Sequence, residues 1–159
     1  MSLPAERIFN VRVYGLLLND QQEILIAEEK RYNTFICKFP GGGLQFGEGT
    51  IVAVKREFKE ELNIDIEIIK HFYTTDFFVP SAFSNRQQVI GVFYLVKSAD
   101  TIAEKYFKRK PIVELQEGDE QFYWNHLFQL KEDDFTFAIE KYVCGLLKDE
   151  FNFSSAPLS

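Results

Sequence analysis

The chain has 159 residues, 46% of them hydrophobic and 16% aromatic, with a formal charge of −6 at pH 7. That is enough apolar material for one buried core and too little length to require a second domain. The acidic balance excludes a general nucleic-acid binder, so an anionic small molecule would have to be held by local cations or a bound metal. Cys37 and Cys144 are too few for a disulfide framework and have no metal-ligand spacing, so they read as reduced core thiols, which suits a reducing cytoplasm. The first residues, Met-Ser-Leu-Pro-Ala-Glu-Arg, lack the pattern of a signal peptide, and no apolar run reaches membrane-spanning length. A cytoplasmic protein without a membrane partner is expected, with a homodimer left open. Asn152-Phe-Ser fits a glycosylation acceptor but reads as accidental without a secretory signal.

From Ile8 to Leu18 the chain is rich in strand formers; Asn19 to Gln22 then supplies a turn before Glu23-Ile-Leu-Ile-Ala-Glu-Glu, and the pair reads as a hairpin. Arg7 and Arg12, at its start, are candidate phosphate contacts, though a rim salt bridge is the commoner use of such residues. Lys30 to Asn33 reads as a loop. Thr34-Phe-Ile-Cys-Lys-Phe is a short strand that Pro40 ends, and it delivers a glycine-rich loop to a strand terminus, with Lys38 just upstream as another candidate phosphate contact.

Gly41 to Gly43, Gly47 and Gly49 make that loop able to approach a ligand closely. A helix follows, with Thr50 as expected N-cap and Glu48 beside its positive end. At about 100° per residue, Ile51, Val54, Phe58 and Leu62 fall on one arc and should face a core. Glu57, Glu60 and Glu61 crowd one face at i, i+3 and i+4, with Ala53 a turn earlier leaving room for a ligand. Three neighbouring carboxylates repel unless a cation fills the gap, and an oxygen-only set favours Mg²⁺ or Mn²⁺ over zinc. Arg56 can orient a carboxylate through its planar fork. Taken alone, Glu-Phe-Lys-Glu-Glu-Leu is more often the solvated face of an ordinary amphipathic helix.

Asp65 to Val79 reads as a long, bent strand, Pro80 to Asn85 as a loop, and the nearly all-apolar run from Gln87 to Val96 as a central strand buried on both faces. Phe77, Phe78 and Phe83 could stack on a nucleobase; Phe83 and its neighbour Arg86 are the best placed because they sit in the loop. Between Ser98 and Glu120 a basic cluster, Lys105, Lys108, Arg109 and Lys110, precedes Glu114, Glu117, Asp119 and Glu120. That cluster reads as solvated surface. Asp133 or Asp134 should cap a last helix that packs Phe135, Ile139, Tyr142, Val143 and Leu146 on the sheet. His71 and His126 have no partners in sequence and read as structural. The domain is expected over 1–151, with 152–159 a frayed tail.

What raises the acidic helix above the ordinary is joint spacing. Gly42, Glu48, Arg56, Glu57, Glu60 and Glu61, with apolar Phe58 and Ile64, resemble the Nudix box, G-x5-E-x7-R-E-U-x-E-E-x-G-U, where U is a bulky apolar residue. Six matches at set spacing arise by chance on the order of once in a million or less. Asn63 stands where the family has its last glycine, and asparagine is the next-best residue for a left-handed helix C-cap. The resemblance implies an α/β (α+β) fold with a mixed curved sheet between helices. It also implies Mg²⁺-dependent hydrolysis of a nucleoside diphosphate linked to another moiety, a nucleoside triphosphate or sugar nucleotide foremost. Glu60 and Glu61 match the principal metal ligands, Glu57 a ligand or base, Arg56 the residue orienting it, and Glu48 a further acid; the resemblance also implies a ligand from the backbone carbonyl of Gly42 or a neighbouring glycine. Relatives often place one more acid before a Trp-containing strand, which makes Glu117 and Glu120 candidates ahead of Trp124. ADP-ribose and dinucleoside polyphosphate hydrolases share the box. Nucleotide sensors on the same fold would be expected to lose helix acids, and this chain keeps them.

Overall fold

Residues 5–98, Tyr106 and 114–154 are described in this computed structural model. Their β-branched and aromatic runs form strands β1 (Ile8–Leu17), β2 (Glu23–Arg31), β3 (Thr34–Lys38), β4 (Gly41–Gly43), β5 (Ile66–Thr74), β6 (Gln87–Ser98) and β7 (Glu120–His126). Runs with helical periodicity form α1 (Thr50–Leu62) and α2 (Ala138–Ser154). The strands make two sheets, ordered β4-β1-β6-β5 and β3-β2-β7. The β1–β6 pairing is parallel, from Ile8 opposite Gln87 to Leu17 opposite Val96, and the other pairings are antiparallel.

Alternation along the central strands divides the core in two. Tyr14 and Leu16 of β1, and Phe93 and Leu95 of β6, pack with Ile24, Phe39, Phe135, Ile139 and Val143 beneath α2. Their neighbours Val13, Leu17, Val92, Tyr94 and Val96 pack with Val54, Phe58, Leu62 and Trp124 beneath α1. Strand β6 is therefore central and covered on both faces, as its composition predicts. Strand β5 is bent, with register shifts between Ile68 and Lys70 and between His71 and Tyr73.

Several expectations need correction. β1 and β2 do not form a ladder with each other; they share one Leu18–Ile24 bridge and enter different sheets. Both edges of β1 are already taken, by β4 and β6, and the Asn19 carboxamide, accepting from the amides of Gln21 and Glu23, turns the chain away. The hairpin lies one element later. β2 and β3 pair across Tyr32 and Asn33, both at positive φ (52° and 57°), as a tight two-residue turn requires. The triple glycine is itself a short strand on β1, where a Cβ at Gly41 would stand 2.0 Å from the Val13 carbonyl oxygen. Asp134 accepts from the amide of Lys131 in a 3₁₀ turn, Glu132–Asp134, and α2 begins only at Ala138. Phe135 reaches the core from the connecting loop, Leu147 is fully buried where Leu146 was expected, and Tyr142 is exposed. Helix α2 runs to Ser154, into the segment expected as a tail. The basic cluster Lys105, Lys108, Arg109 and Lys110 lies outside the described residues. Among the described residues no helix is long and apolar enough to cross a membrane. His71 bonds to the Thr74 hydroxyl, and His126 accepts from the amide of Phe128.

The seat of α1 depends on a missing side chain. Phe58 lies against Gly15 of β1, where an added Cβ would meet the phenyl ring at 2.4 Å and Val96 at 3.3 Å. Gly15→Ala is expected to destabilise the protein by about 1–3 kcal/mol by lifting the helix off the sheet. Gly43→Ala, whose Cβ would meet nothing within 4 Å, is expected to stay within about 0.5 kcal/mol of the parent. Urea titration of the two variants measures the contrast.

Candidate active site

Helix α1 starts differently from the sequence expectation. Its N-cap is Gly49, with no side-chain cap, and Thr50 is the first helical residue, its hydroxyl hydrogen-bonded to the Tyr94 hydroxyl at 2.6 Å. Ile51 is exposed, and the inward stripe is Ala53, Val54, Phe58 and Leu62. Ala53 is fully buried, so its small side chain serves close packing on the sheet and leaves no ligand space. The other end of the helix is as expected. Asn63 takes the left-handed conformation (φ 53°, ψ 40°), its amide donating to the Lys59 carbonyl and that of Ile64 to Phe58.

Arg56 organises the acids. Its Nε and Nη2 donate to the two oxygens of Glu48 at 2.9 and 2.6 Å, while Nη1 donates to Glu57 at 3.0 Å and to Glu60 at 3.1 Å. Nη2 also donates to the Gly43 carbonyl at 3.1 Å, so one guanidinium straps the glycine segment and its following loop onto the helix. Glu48 accepts in addition from the amide of Gln45. The Arg56 bond, and then that amide, hold the Glu48 carboxyl down at about 2. Gly42 must lack a side chain, because a Cβ there would lie 2.4 Å from the Glu57 carboxylate.

Glu61 and Glu120 face each other from α1 and β7. Burial, followed by the charge of Glu120, pushes the Glu61 carboxyl up to about 8; Lys38 opposes the shift and Glu57 adds to it. Burial likewise raises Glu120. Glu61 Oε2 and Glu120 Oε1 are buried without a hydrogen-bond partner. Lys38 Nζ stands 4.0 Å from Glu120 Oε1, too long for a hydrogen bond, and 3.2 Å from Glu29. Among the described residues no three His, Cys, Asp or Glu side chains already converge as a metal site. Arg56 holds Glu57 and Glu60, so an ion would compete with the guanidinium for them. Even so, an oxygen-only donor set with two buried, unpartnered carboxylate oxygens fits a hard divalent cation, whose charge would relieve the crowding.

Beside the acids a cavity of about 200 Å³ opens between the sheets, the start of α2 and the loop before β6. Lys38 lines it and, between Glu29 and Glu120, joins it to the acidic cluster. Arg12 and Phe83 also line it, as the sequence suggested. Arg12 Nε donates to the Tyr14 hydroxyl at 2.9 Å. Arg7 and Arg86 are exposed and do not line the cavity. Phe77 packs edge-on against Tyr142, and Phe78 is exposed, neither lining the cavity. Glu117 stands apart from the acids, its carboxylate accepting from the amides of Tyr32 and Asn33 at the β2–β3 turn.

Among the cavity residues that escaped the sequence reading are Tyr14, Tyr32 and Glu140, the last in the first turn of α2. Glu140 is 2% exposed, and its Oε2 has no hydrogen-bond partner. A charge beside Ile139 and one turn before Val143 and Cys144, on the buried stripe, was the available signal. Burial pushes its carboxyl up to about 7, against the charges of Arg12 and Lys38 and the Tyr14 hydroxyl.

Residues 8–142 match the family described as the NUDIX domain. No curated protein matches the chain in sequence. A solved NUDIX hydrolase from Nitrosomonas europaea is similar at TM-score 0.64 and 18% identity, over 94% of this chain and 93% of that one. The MutT protein of Methanosarcina mazei Go1 is similar at 0.63 and 16%, over 96% and 100%. A MutT NUDIX hydrolase from Burkholderia pseudomallei is similar at 0.62 and 20%, over 88% and 98%. At such identities these likenesses speak for the fold, and the expected α+β class with curved sheets between helices holds.

The buried Glu140 makes stability depend on pH. Its carboxyl lies above the ordinary 4.5 in the folded protein, so the folded state binds the extra proton and stability falls as pH rises from about 4.5 through about 7. The loss amounts to roughly 3 kcal/mol. Glu140→Gln, neutral throughout, is expected to gain stability over the parent at pH 8 and to match it near pH 5. Thermal melts at the two pH values check this; an equal difference at both would contradict it.

Proposed function

The chain belongs to the NUDIX domain family, hydrolases of pyrophosphate bonds in nucleoside diphosphate derivatives, and from that premise we propose a Mg²⁺-dependent pyrophosphohydrolase acting on a nucleoside triphosphate or sugar nucleotide. The observation that carries the reading is the pair of buried, unpartnered carboxylate oxygens on Glu61 and Glu120, next to Glu57 and beside a cavity reached through Lys38. Glu57, Glu60 and Glu61 would hold Mg²⁺ or Mn²⁺, with Glu120, Glu48 and the Gly42 carbonyl as further oxygen donors. The ion, when bound, supplies screening of the diphosphate charge and a more acidic bound water.

The protein groups have separate tasks in this reading. Arg56 keeps Glu57 in place and ties the loop carrying Glu48 to α1. Lys38, only 5% exposed at its side chain, sets a desolvated positive charge between the acids and the cavity, where a phosphate oxygen of the substrate would be stabilised. The acids and Lys38 thus mark the diphosphate end of the site, and the cavity walls mark the end for the ring attached to it.

Glu61→Gln is expected to lower turnover of a nucleotide substrate by about 100-fold or more, and Arg56→Lys, which cannot span the same carboxylates, by about 10–100-fold. Glu117→Gln, altering only the β2–β3 turn, should leave turnover within about threefold of the parent. Chelation should abolish activity and added Mg²⁺ or Mn²⁺ restore it. Phosphate release across a nucleotide panel measures all of these, and undiminished hydrolysis by Glu61→Gln would overturn the assignment.

A further inference from the structure

A buried carboxylate oxygen without a donor is expensive to keep, and Glu140, one of the residues that line the cavity, has such an atom in Oε2. An acid in the first turn of a helix is commonly structural, because it can accept from the free amides there, and a backbone bond does help to ionise this carboxyl. That role occupies one oxygen; it does not account for the other. Of the donors nearby, Arg12 Nε bonds Tyr14, Asn10 Nδ2 bonds Gln87 and Lys38 pairs with Glu29, while the Tyr14 hydroxyl, which favours the ionised Glu140 carboxyl, leaves Oε2 without a partner.

The rest of the cavity fits a flat ring. Tyr32, from the β2–β3 turn, and Phe83, from the loop before β6, bring their rings to 5.0 Å, and Phe83 in turn meets Phe137 edge-on at 6.0 Å. Lys38 fixes the polarity of the pocket, since it is the residue shared with the acidic cluster. A nucleotide with its diphosphate at the acids therefore lays its base among the aromatic rings with its edge toward Glu140.

We propose that Glu140 reads the base: its free oxygen accepts a hydrogen bond from the exocyclic amino group of the substrate's nucleobase, so the enzyme favours amino-bearing bases over their oxo counterparts. The proposal rests on the hydrolase reading above and deepens it to a substrate class. Where the amino group is replaced by a carbonyl, two acceptors face each other and the carboxylate stays unpaired. Arg12, the neighbouring cation, suits a ring acceptor next to that amino group.

Matched pairs test this: GTP against XTP, ATP against ITP, and CTP against UTP, compared by kcat/KM with Mg²⁺. The amino-bearing member is expected to lead by about tenfold or more in at least one pair. Glu140→Met should reduce that ratio to within about threefold, and Glu140→Gln, with a neutral acceptor, should reduce it partway. A purely structural Glu140 would lower both members of a pair equally and leave the ratio unchanged. Parity in every pair for the parent, or an unchanged ratio in Glu140→Met, overturns the proposal; should the Met variant not fold, an unchanged ratio in Glu140→Gln does so. If the parent hydrolyses neither these triphosphates nor the sugar nucleotides of the same bases, the hydrolase reading fails by itself. Calorimetric binding of GMP, AMP and CMP against XMP, IMP and UMP then decides the pocket, with equal or absent binding overturning the role of Glu140.

Discussion

One guanidinium holds the site together. Arg56 reaches a backbone carbonyl on β4, a carboxylate in the loop and two carboxylates on its own helix, and no lysine could replace a planar fork with that many fixed donors. The fork works only if helix and strand lie close, and closeness is achieved by leaving atoms out. Ala53 is buried to nothing, Gly15 admits the Phe58 ring, and Gly42 admits the Glu57 carboxylate. Packing density and the placement of the acids are therefore one constraint: a methyl group added in any of these places moves the carboxylates as well as the core.

Around this strap the protein accumulates unfavourable charge. Glu61, Glu120 and Glu140 are each driven toward their neutral forms by burial, and Lys38 is nearly enclosed. Such groups do not stabilise a fold; burying a charge is compensated only by a partner. Glu61 and Glu120, on the acidic side of Lys38, each keep an oxygen without a hydrogen-bond partner, and so does Glu140, which lines the cavity. That division matches the two ends of a nucleotide, a polyanion that brings its own cation at one end and a ring with hydrogen-bond donors at the other.

The acidic helix was readable in the chain because its information is local. The spacing of Arg56, Glu57, Glu60 and Glu61 on a helix follows from 3.6 residues per turn, and Asn63 announces the helix end by its tolerance of positive φ. Most strand identities were readable for the same reason; the glycine strand β4, read as loop, was not. The pairing of strands was not, since β1 and β2 look like a hairpin until the parallel partner β6 is known to occupy the edge. Periodicity also misplaced Ile51 and Ala53, because a rotation of the helix by about one position turns one outward and the other inward. The cavity is the least readable part. Tyr14, Tyr32, Phe83 and Glu140 come from four separate elements and meet only through tertiary packing. Glu117 and Glu120, three positions apart, share a composition and differ in fate because one caps a turn and the other enters the sheet.

The parallel union of β1 with β6 also bears on how the chain is made. Ile8 leaves the ribosome before its partner Gln87, which follows only after the glycine strand, the acidic helix and β5 have been synthesised. At about 5–20 residues per second the first strand waits for seconds with one edge bare. Closing so long a loop ahead of any reward from contacts makes this pairing a slow step of folding, and until it forms the apolar Val13, Leu16 and Leu17 of the nascent strand lack their buried surroundings.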